Sequence, residues 1–484
     1  MPVMNTDVYT RSSQSIDLYS GQRARSQMEL RKTHISNLPV EILMMIFISY
    51  YEITKAPILL LFVCREWHDV ALSIPFLWTT IAFCPSLLHR PPSSIEFTMH
   101  QKITCASWKK LTMAARRAGQ DMLTVFYKPD YSDLPDEPED DVRSWLSSRC
   151  HILHVYVSLG HLGILTNFFN NLHNLKELHL DGSIPASHHG LDSFLIHLET
   201  SSVNLTNLKI RRNFFQYFAS RQMLLARIRV FEVTVVFSSW LISTPATEAV
   251  FSYLKSLEVL VWPYSLPSGL NHIFKHLRTL AVEGCNGFPQ GTQFLRLTTL
   301  NITCVGAVER LRRWNSGIIT FPVLQNLRFF GYWENFALIE APAIINLQLQ
   351  FWDTPTRGEA SPPTILRPES LSLRGCVLND EIIELFDGAW KSVRQLEWTF
   401  TTGADIATAA QRLVDELSGN LPKQALCPQI ESLALKFVGQ GESESDMVSR
   451  IEEIMVRFSH QRKECIPSLH RVSWNWEVVE RVGS

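Results

Sequence analysis

One short pattern recurs along most of this chain: an apolar residue, two of any kind, an apolar residue, one of any kind, and an apolar residue. Clear copies are LKELHL at 175–180, LTNLKI at 205–210, LEVLVW at 257–262, LRTLAV at 277–282, LTTLNI at 297–302, LQNLRF at 324–329, IINLQL at 344–349, VRQLEW at 393–398, IESLAL at 430–435 and LHRVSW at 469–474. Weaker copies stand at 122–127, 152–157, 228–233 and 368–373. Their middle apolar residues are Val125, Val155, Leu178, Leu208, Phe231, Leu260, Leu280, Leu300, Leu327, Leu347, Leu371, Leu396, Leu433 and Val472. Most steps are 20 to 30 residues, and the last two are 37 and 39. Self-similarity at such a period marks a stacked array, in which each unit buries its apolar face against its neighbours. Within each copy the alternation has period two, which reads as a strand. The residues flanking the middle one therefore face the other way. They are mostly polar: Asn207, Lys209 and Arg211; Asn326, Arg328 and Phe330; Asn346, Gln348 and Gln350; Gln395, Glu397 and Thr399. The pattern predicts one buried and one wet face.

The period and pattern resemble leucine-rich repeats. In that family the eighth position after the first apolar residue often holds Asn or Cys, which bonds loop backbone. Here that position gives Asn213, Cys285 and Cys376, and LSLRGCVLND at 371–380 resembles the cysteine-containing, ribonuclease-inhibitor-like class. The resemblance implies structural rather than reactive cysteines. The expected fold is α/β: a short all-helical segment, then an irregular solenoid with a parallel sheet. Residues 122–484 form the expected solenoid, and 81–121 a helical connector. The Pro-rich stretch 354–368 and the polar stretch 439–446 should loop out, and the polar residues 1–33 form an expected disordered tail.

A second feature lies at 38–78. LPVEILMMIF opens it, an apolar run follows, and VCREWHDVALSIPFLW closes it. Asn37 is placed to cap a helix with Pro39 near its first turn. Ile42, Ile46 and Phe47 then share a helical face, and Ile58 to Trp67 is apolar on nearly all sides. So short a segment buries too little to be secure alone, and its apolar surface asks for a partner; the alternative is a helical cap on the next domain. The stretch 34–80 resembles an F-box, which docks a protein onto the Skp-type adaptor of an SCF ubiquitin ligase. The whole layout resembles F-box proteins abundant in mushroom-forming fungi. Between the two halves of the box, Ser49 to Pro57 keeps little of the family's acidic or leucine pattern.

The resemblance implies adaptor contacts from Leu38, Pro39, Ile42, Ile46, Phe47, Val63, Cys64, Trp67, Leu77 and Trp78, shared with the segment's own core. Through the adaptor it implies a cullin. It also implies an unknown protein substrate, held on the wet strand face by Lys209, Arg211, Arg328, Phe330, Gln348, Gln350 and Arg374. The basic members of that set suggest an acidic or phosphorylated target. The competing expectation is a repeat scaffold acting outside ubiquitination.

Other function classes find little support. A formal charge of −2 argues against nucleic acid or an anionic membrane as partner. The apolar run from Ala56 to Cys64 is about half a membrane span. Nine scattered cysteines without a C-x-x-C fit reduced thiols in cytosol or nucleus. Phosphate-loop, nucleophile-elbow and zinc-protease motifs are missing from the sequence. Cys150, His151 and His154, and the pair His188–His189, lack a second half with zinc spacing. The carboxylates from Asp130 to Asp141 have no calcium-loop glycine and read as a solvated loop. The chain is expected to be no enzyme and to need no metal or cofactor.

Overall fold

The computed structural model describes residues 38–54, 57–83, 103–105, 108–127, 140–157, 169–182, 189–234, 244–264, 266, 271–283, 288, 293–304, 317–351, 366–375, 380–401, 406–417, 429–439, 444–465 and 468–478. The tail 1–33, most of the acidic loop, Cys285, Cys376, most of the stretch 354–368 and half of 439–446 lie outside them. The chain forms two compact units, whose described parts fall within 38–259 and from 260 onward.

The first unit opens with helices α1 (Val40–Thr54) and α2 (Arg65–Ser73), joined by a 3-10 turn at Pro57–Phe62. The carbonyl of Pro39 accepts from the amides of Ile42 and Leu43 at 3.0 and 3.1 Å, which starts α1. Leu43, Phe47 and Tyr51 recur at four-residue spacing and are buried. Phe47 lies 4.8 Å from the Trp67 ring, and Tyr51 meets Phe76 edge-on at 5.4 Å. A second turn, Pro75–Trp78, closes the module. Trp78 is buried; its indole N–H donates to Ala71 at 3.0 Å.

Strand β1 (Thr80–Phe83) follows at once. It is joined by β2 (Ile103–Cys105), β3 (Leu123–Tyr127), β4 (Cys150–Val157), β5 (Glu177–Gly182), β6 (Asn207–Arg211) and β7 (Val230–Thr234). From β1 to β7 the parallel strands lie side by side in chain order, with β2 outside β1. The segment 81–121 therefore departs from the expected helical connector: helix α3 (Trp108–Arg117) is accompanied by β1 and β2. Four residues of strand are too few to show a period, and the neighbouring box motif absorbs the first of them.

One buried row crosses this sheet: Ile81, Val125, Leu153, Leu178, Leu208 and Phe231. It includes the expected middle residues except Val155, whose place is taken by Leu153. The shift is two residues, so the buried face is unchanged.

In the second unit, β8 (Val259–Trp262) stands at the boundary. Then come β9 (Thr279–Glu283), β10 (Thr299–Thr303), β11 (Ile319–Thr320), β12 (Asn326–Gly331), β13 (Ile339–Glu340), β14 (Asn346–Phe351), β15 (Ser370–Arg374), β16 (Gln395–Thr401), β17 (Ser432–Gly439) and β18 (Arg471–Val478). Strands β11 and β13 pair apart, and the others from β9 to β18 run parallel in chain order. Leu280, Leu300, Leu327, Leu347, Leu371, Leu396, Leu433 and Val472 register side by side, each the expected middle residue of its copy. All but the half-buried Val472 are buried.

The repeats also share a backbone device. The residue just before each strand donates its amide to its counterpart in the preceding repeat. In the first unit Thr206 bonds Lys176 at 3.0 Å and Arg229 bonds Thr206 at 2.8 Å. In the second, Gln325, Ile345, Glu369, Arg394, Glu431 and His470 each bond the previous member at 2.7–3.0 Å. Asn213 adds a side-chain version, donating to the carbonyl of Gly182 in the preceding repeat at 2.9 Å. Helices such as His189–Ser201, Ile406–Leu417 and Glu444–Cys465 return the chain between strands. The architecture is the expected α/β: a helical start, then solenoid-like stacking of parallel strands. Among the described residues no helix is long and apolar enough to cross a membrane.

Candidate functional site

The helical module divides its apolar residues in two. The module's core takes Leu43, Phe47, Tyr51, Leu60, Val70, Ala71, Ile74, Leu77 and Trp78. Three of the expected adaptor contacts, Phe47, Leu77 and Trp78, are thereby corrected: a partner cannot reach them without unfolding the module. The reason lies in helix phase. Phe47 shares its face with Leu43 and Tyr51, whereas Ile42 and Ile46 sit one step, about 100°, away. Ile42, Ile46, Val63 and Pro39 are exposed, and Leu38 and Trp67 are half-buried. Cys64 is exposed but acts within the module, where its sulfur caps α2 by accepting from the Trp67 amide at 3.5 Å.

Sequence reasoning missed several residues of this surface. Met45 is 65% exposed and Phe62 78%, with Val40, Leu59 and Ile53 also open to solvent. The signal for Met45 was its place between Ile42 and Ile46 on one stripe. For Phe62 it was the length of the apolar run, since one 3-10 turn cannot bury every side. A run of exposed apolar side chains on an otherwise complete small core makes this surface the candidate docking site.

The module is tied to the sheet behind it. The Tyr51 hydroxyl donates to Thr80 Oγ1 at 2.6 Å, on the first residue of β1. The Arg117 guanidinium lies 4.9 Å from the centre of the Trp78 ring.

The polar sheet face of the first unit carries a row of Phe126, His154, His179, Lys209 and Glu232. Phe126 and His154 stack with centroids 4.0 Å apart, and His154 and His179 lie 3.8 Å apart. Glu177 contacts the His179 ring nitrogen. Lys209 Nζ stands 3.7 Å from Glu177 and 3.4 Å from Glu232. Arg211 pairs with Asp181 at 3.2 Å and also reaches the Gly182 carbonyl. Lys209 and Arg211, expected to hold an anionic substrate, thus stand beside carboxylates of the same unit and remain partly exposed. Burial lowers the pKa of His179 against the pull of Glu177. Burial also acts to raise that of Glu177, but His179, Lys209 and Asn207 together hold it below the usual carboxylate value. Cys150 is fully buried, which pushes its thiol far up, so it is neither nucleophile nor ready ligand. Cys304 is likewise raised, to about 11.

In the second unit Arg328 and Arg374 are exposed, and Phe330, Gln348 and Gln350 are half-buried on the polar face. Registered pairs place Gln348 beside Arg328, and Gln350 between Phe330 and Arg374. Asn346 donates to Asn326 at 2.6 Å in the adjoining row, and Lys436 pairs with Glu397 at 2.7 Å. Among the described residues no group of three or more His, Cys, Asp or Glu is arranged to hold a metal ion.

Residues 35–84 match the F-box-like family model. The match spans the helical module and β1, so the exposed apolar surface belongs to a domain whose relatives dock adaptors. No curated relative matches the chain.

Proposed function

We propose that this chain is the substrate-recognition subunit of an SCF-type ubiquitin ligase. Its F-box-like domain docks a Skp-type adaptor and, through it, a cullin, while the repeat strands, of leucine-rich-repeat type, hold a protein substrate. The observation that carries this reading is the exposed surface of Ile42, Met45, Ile46, Phe62 and Val63, left over once the domain's own core is complete. The chain then contributes no acid, base or nucleophile. It raises the local concentration of substrate at the ubiquitin thioester, an effect of proximity. Reduced, buried thiols such as Cys150 and Cys304 suit a cytosolic or nuclear site.

The test is co-purification of the full chain. Adaptor and cullin should both be captured, and both lost with Ile46→Asp plus Phe62→Asp in a protein that still melts cooperatively. Capture of adaptor without cullin would instead support a scaffold acting outside ubiquitination.

A further inference from the structure

We infer that the chain forms a two-fold dimer, in which β18 pairs antiparallel with β18 of a second copy, centred on Trp474. This goes beyond the proposed function and does not depend on it.

The sheet edge gives the first argument. Among the described residues β18 pairs with β17 alone, and that register runs unbroken from Arg471 to Val478. The far side of β18 therefore presents a row of backbone donors and acceptors. Edge strands that stay single are kept short, bulged, or marked by proline, lysine or an inward charge. β18 has eight residues, RVSWNWEV, with neither proline nor lysine among them.

Burial gives the second. Leu373, Trp398, Leu435 and Trp474 register side by side. The first three are fully buried, whereas Trp474 is 37% exposed. In the adjoining row Leu396 and Leu433 are buried and Val472 only half so. Exposure begins where a further strand would lie. The terminal repeat of a stacked array is expected to turn a polar outer face to water. Tryptophan and valine do the reverse and ask for an apolar neighbour.

Complementarity selects the occupant. With a side-chain period of two, Arg471, Ser473, Asn475 and Glu477 belong to one face of β18, and Val472, Trp474 and Trp476 to the other. A two-fold axis at Trp474 sets Arg471 opposite Glu477 of the second copy, Val472 opposite Trp476, Ser473 opposite Asn475, and Trp474 opposite itself. By symmetry the charge pair occurs twice. Apolar meets apolar on the core face, and polar meets polar on the other. Moving the axis to Ser473 or Asn475 removes both ion pairs, and placing it between residues turns core-face positions against polar ones. The strand is thus self-complementary, as an isologous contact requires. Pairing seven residues of each copy forms about six to eight backbone hydrogen bonds. It also consumes the free edge of both copies, so assembly stops at two.

The test is sedimentation velocity on the full chain across a concentration series, with thermal melts of the same preparations. The chain should pass from monomer to dimer and no further. Arg471→Glu and Glu477→Arg each set like charges opposite one another at both ends of the pair, and each should raise the dimer Kd about tenfold or more. The milder Arg471→Gln, which removes attraction without adding repulsion, should weaken the dimer less. Arg471→Glu combined with Glu477→Arg restores opposite charges and should recover the dimer, which a folding defect in the single variants could not do. A monomer at every concentration, a species larger than a dimer, a dimer indifferent to the single reversals, or a double variant no better than the singles would each overturn the inference.

Discussion

Phe62→Ala separates the docking surface from the module's core. Phe62 is 78% exposed, so about a fifth of its side chain contributes to folding. Fully burying a phenylalanine stabilises by at most about 3 kcal/mol. Docking then gains about 2 kcal/mol from the exposed part, less about 0.5–1 kcal/mol for ordering the side chain. The expected loss on truncation is about 1–1.5 kcal/mol, or about 5- to 13-fold in Kd. The folding cost is about 0.5 kcal/mol, which moves Tm by about 1–2 °C in a chain this large. Leu77→Ala is the contrast: the side chain is fully buried, so truncation costs about 2–5 kcal/mol of stability. Calorimetric titration with the Skp-type adaptor and thermal melts of the same preparations read both quantities. Phe62→Ala should shift Kd and spare Tm; Leu77→Ala should lower Tm first. An unchanged Kd in Phe62→Ala, with the protein folded and adaptor bound, would show that this surface is not where the adaptor sits.

Other outcomes follow from the repeats. Leu300→Ala, in the buried row of the second unit, should lower stability by about 2–5 kcal/mol in denaturant melts. Gly182 has φ +100°, and an added Cβ would stand 2.1 Å from the Val157 carbonyl oxygen. Gly182→Ala should therefore cost about 3 kcal/mol or more and show as early proteolysis near β5. Stability should also fall with acid. His179 is held below its ordinary 6.5 and Glu177 below 4.5, so each contribution is complete above the ordinary value and is lost as pH falls toward the native one. Melts from pH 8 to 4 should show this decline, and His179→Gln should flatten the part that begins just below pH 6.5.

How much of this was legible depends on where the information lies. The middle residues of most repeats were readable because each copy carries its own alternation. Val155 was misplaced because CHILHVYV alternates over too long a stretch: Leu153 and Val155 both satisfy the pattern, and only the neighbouring strand chooses between them. In the helical module the motif was visible, but VEILMMIF is apolar nearly all round. The sequence could not say which stripe turns inward until Trp67 and Tyr51 fixed the phase. The ion pairs of the basic face were hidden from the sequence for a third reason. That Lys209 points outward is a local fact, but Glu177 and Glu232 lie in other repeats, and their approach depends on register.

Register also bears on how the two ends of the first unit act together. Thr80 follows Trp78 with one residue between, and the Tyr51 hydroxyl bonds its side chain at 2.6 Å. The buried row includes Ile81, within residues 35–84, and continues through β3 to β7. The F-box-like domain thus contributes a strand to the sheet, between β2 and β3, rather than standing as a bead on a linker. A linker would let a bound partner sample a wide volume and dilute its effective concentration. A shared sheet holds the apolar docking surface at a fixed offset from the polar strand faces of its unit. Loosening that joint, by Tyr51→Phe with Arg117→Ala, should leave adaptor affinity in place while slowing ubiquitin transfer to a captured substrate.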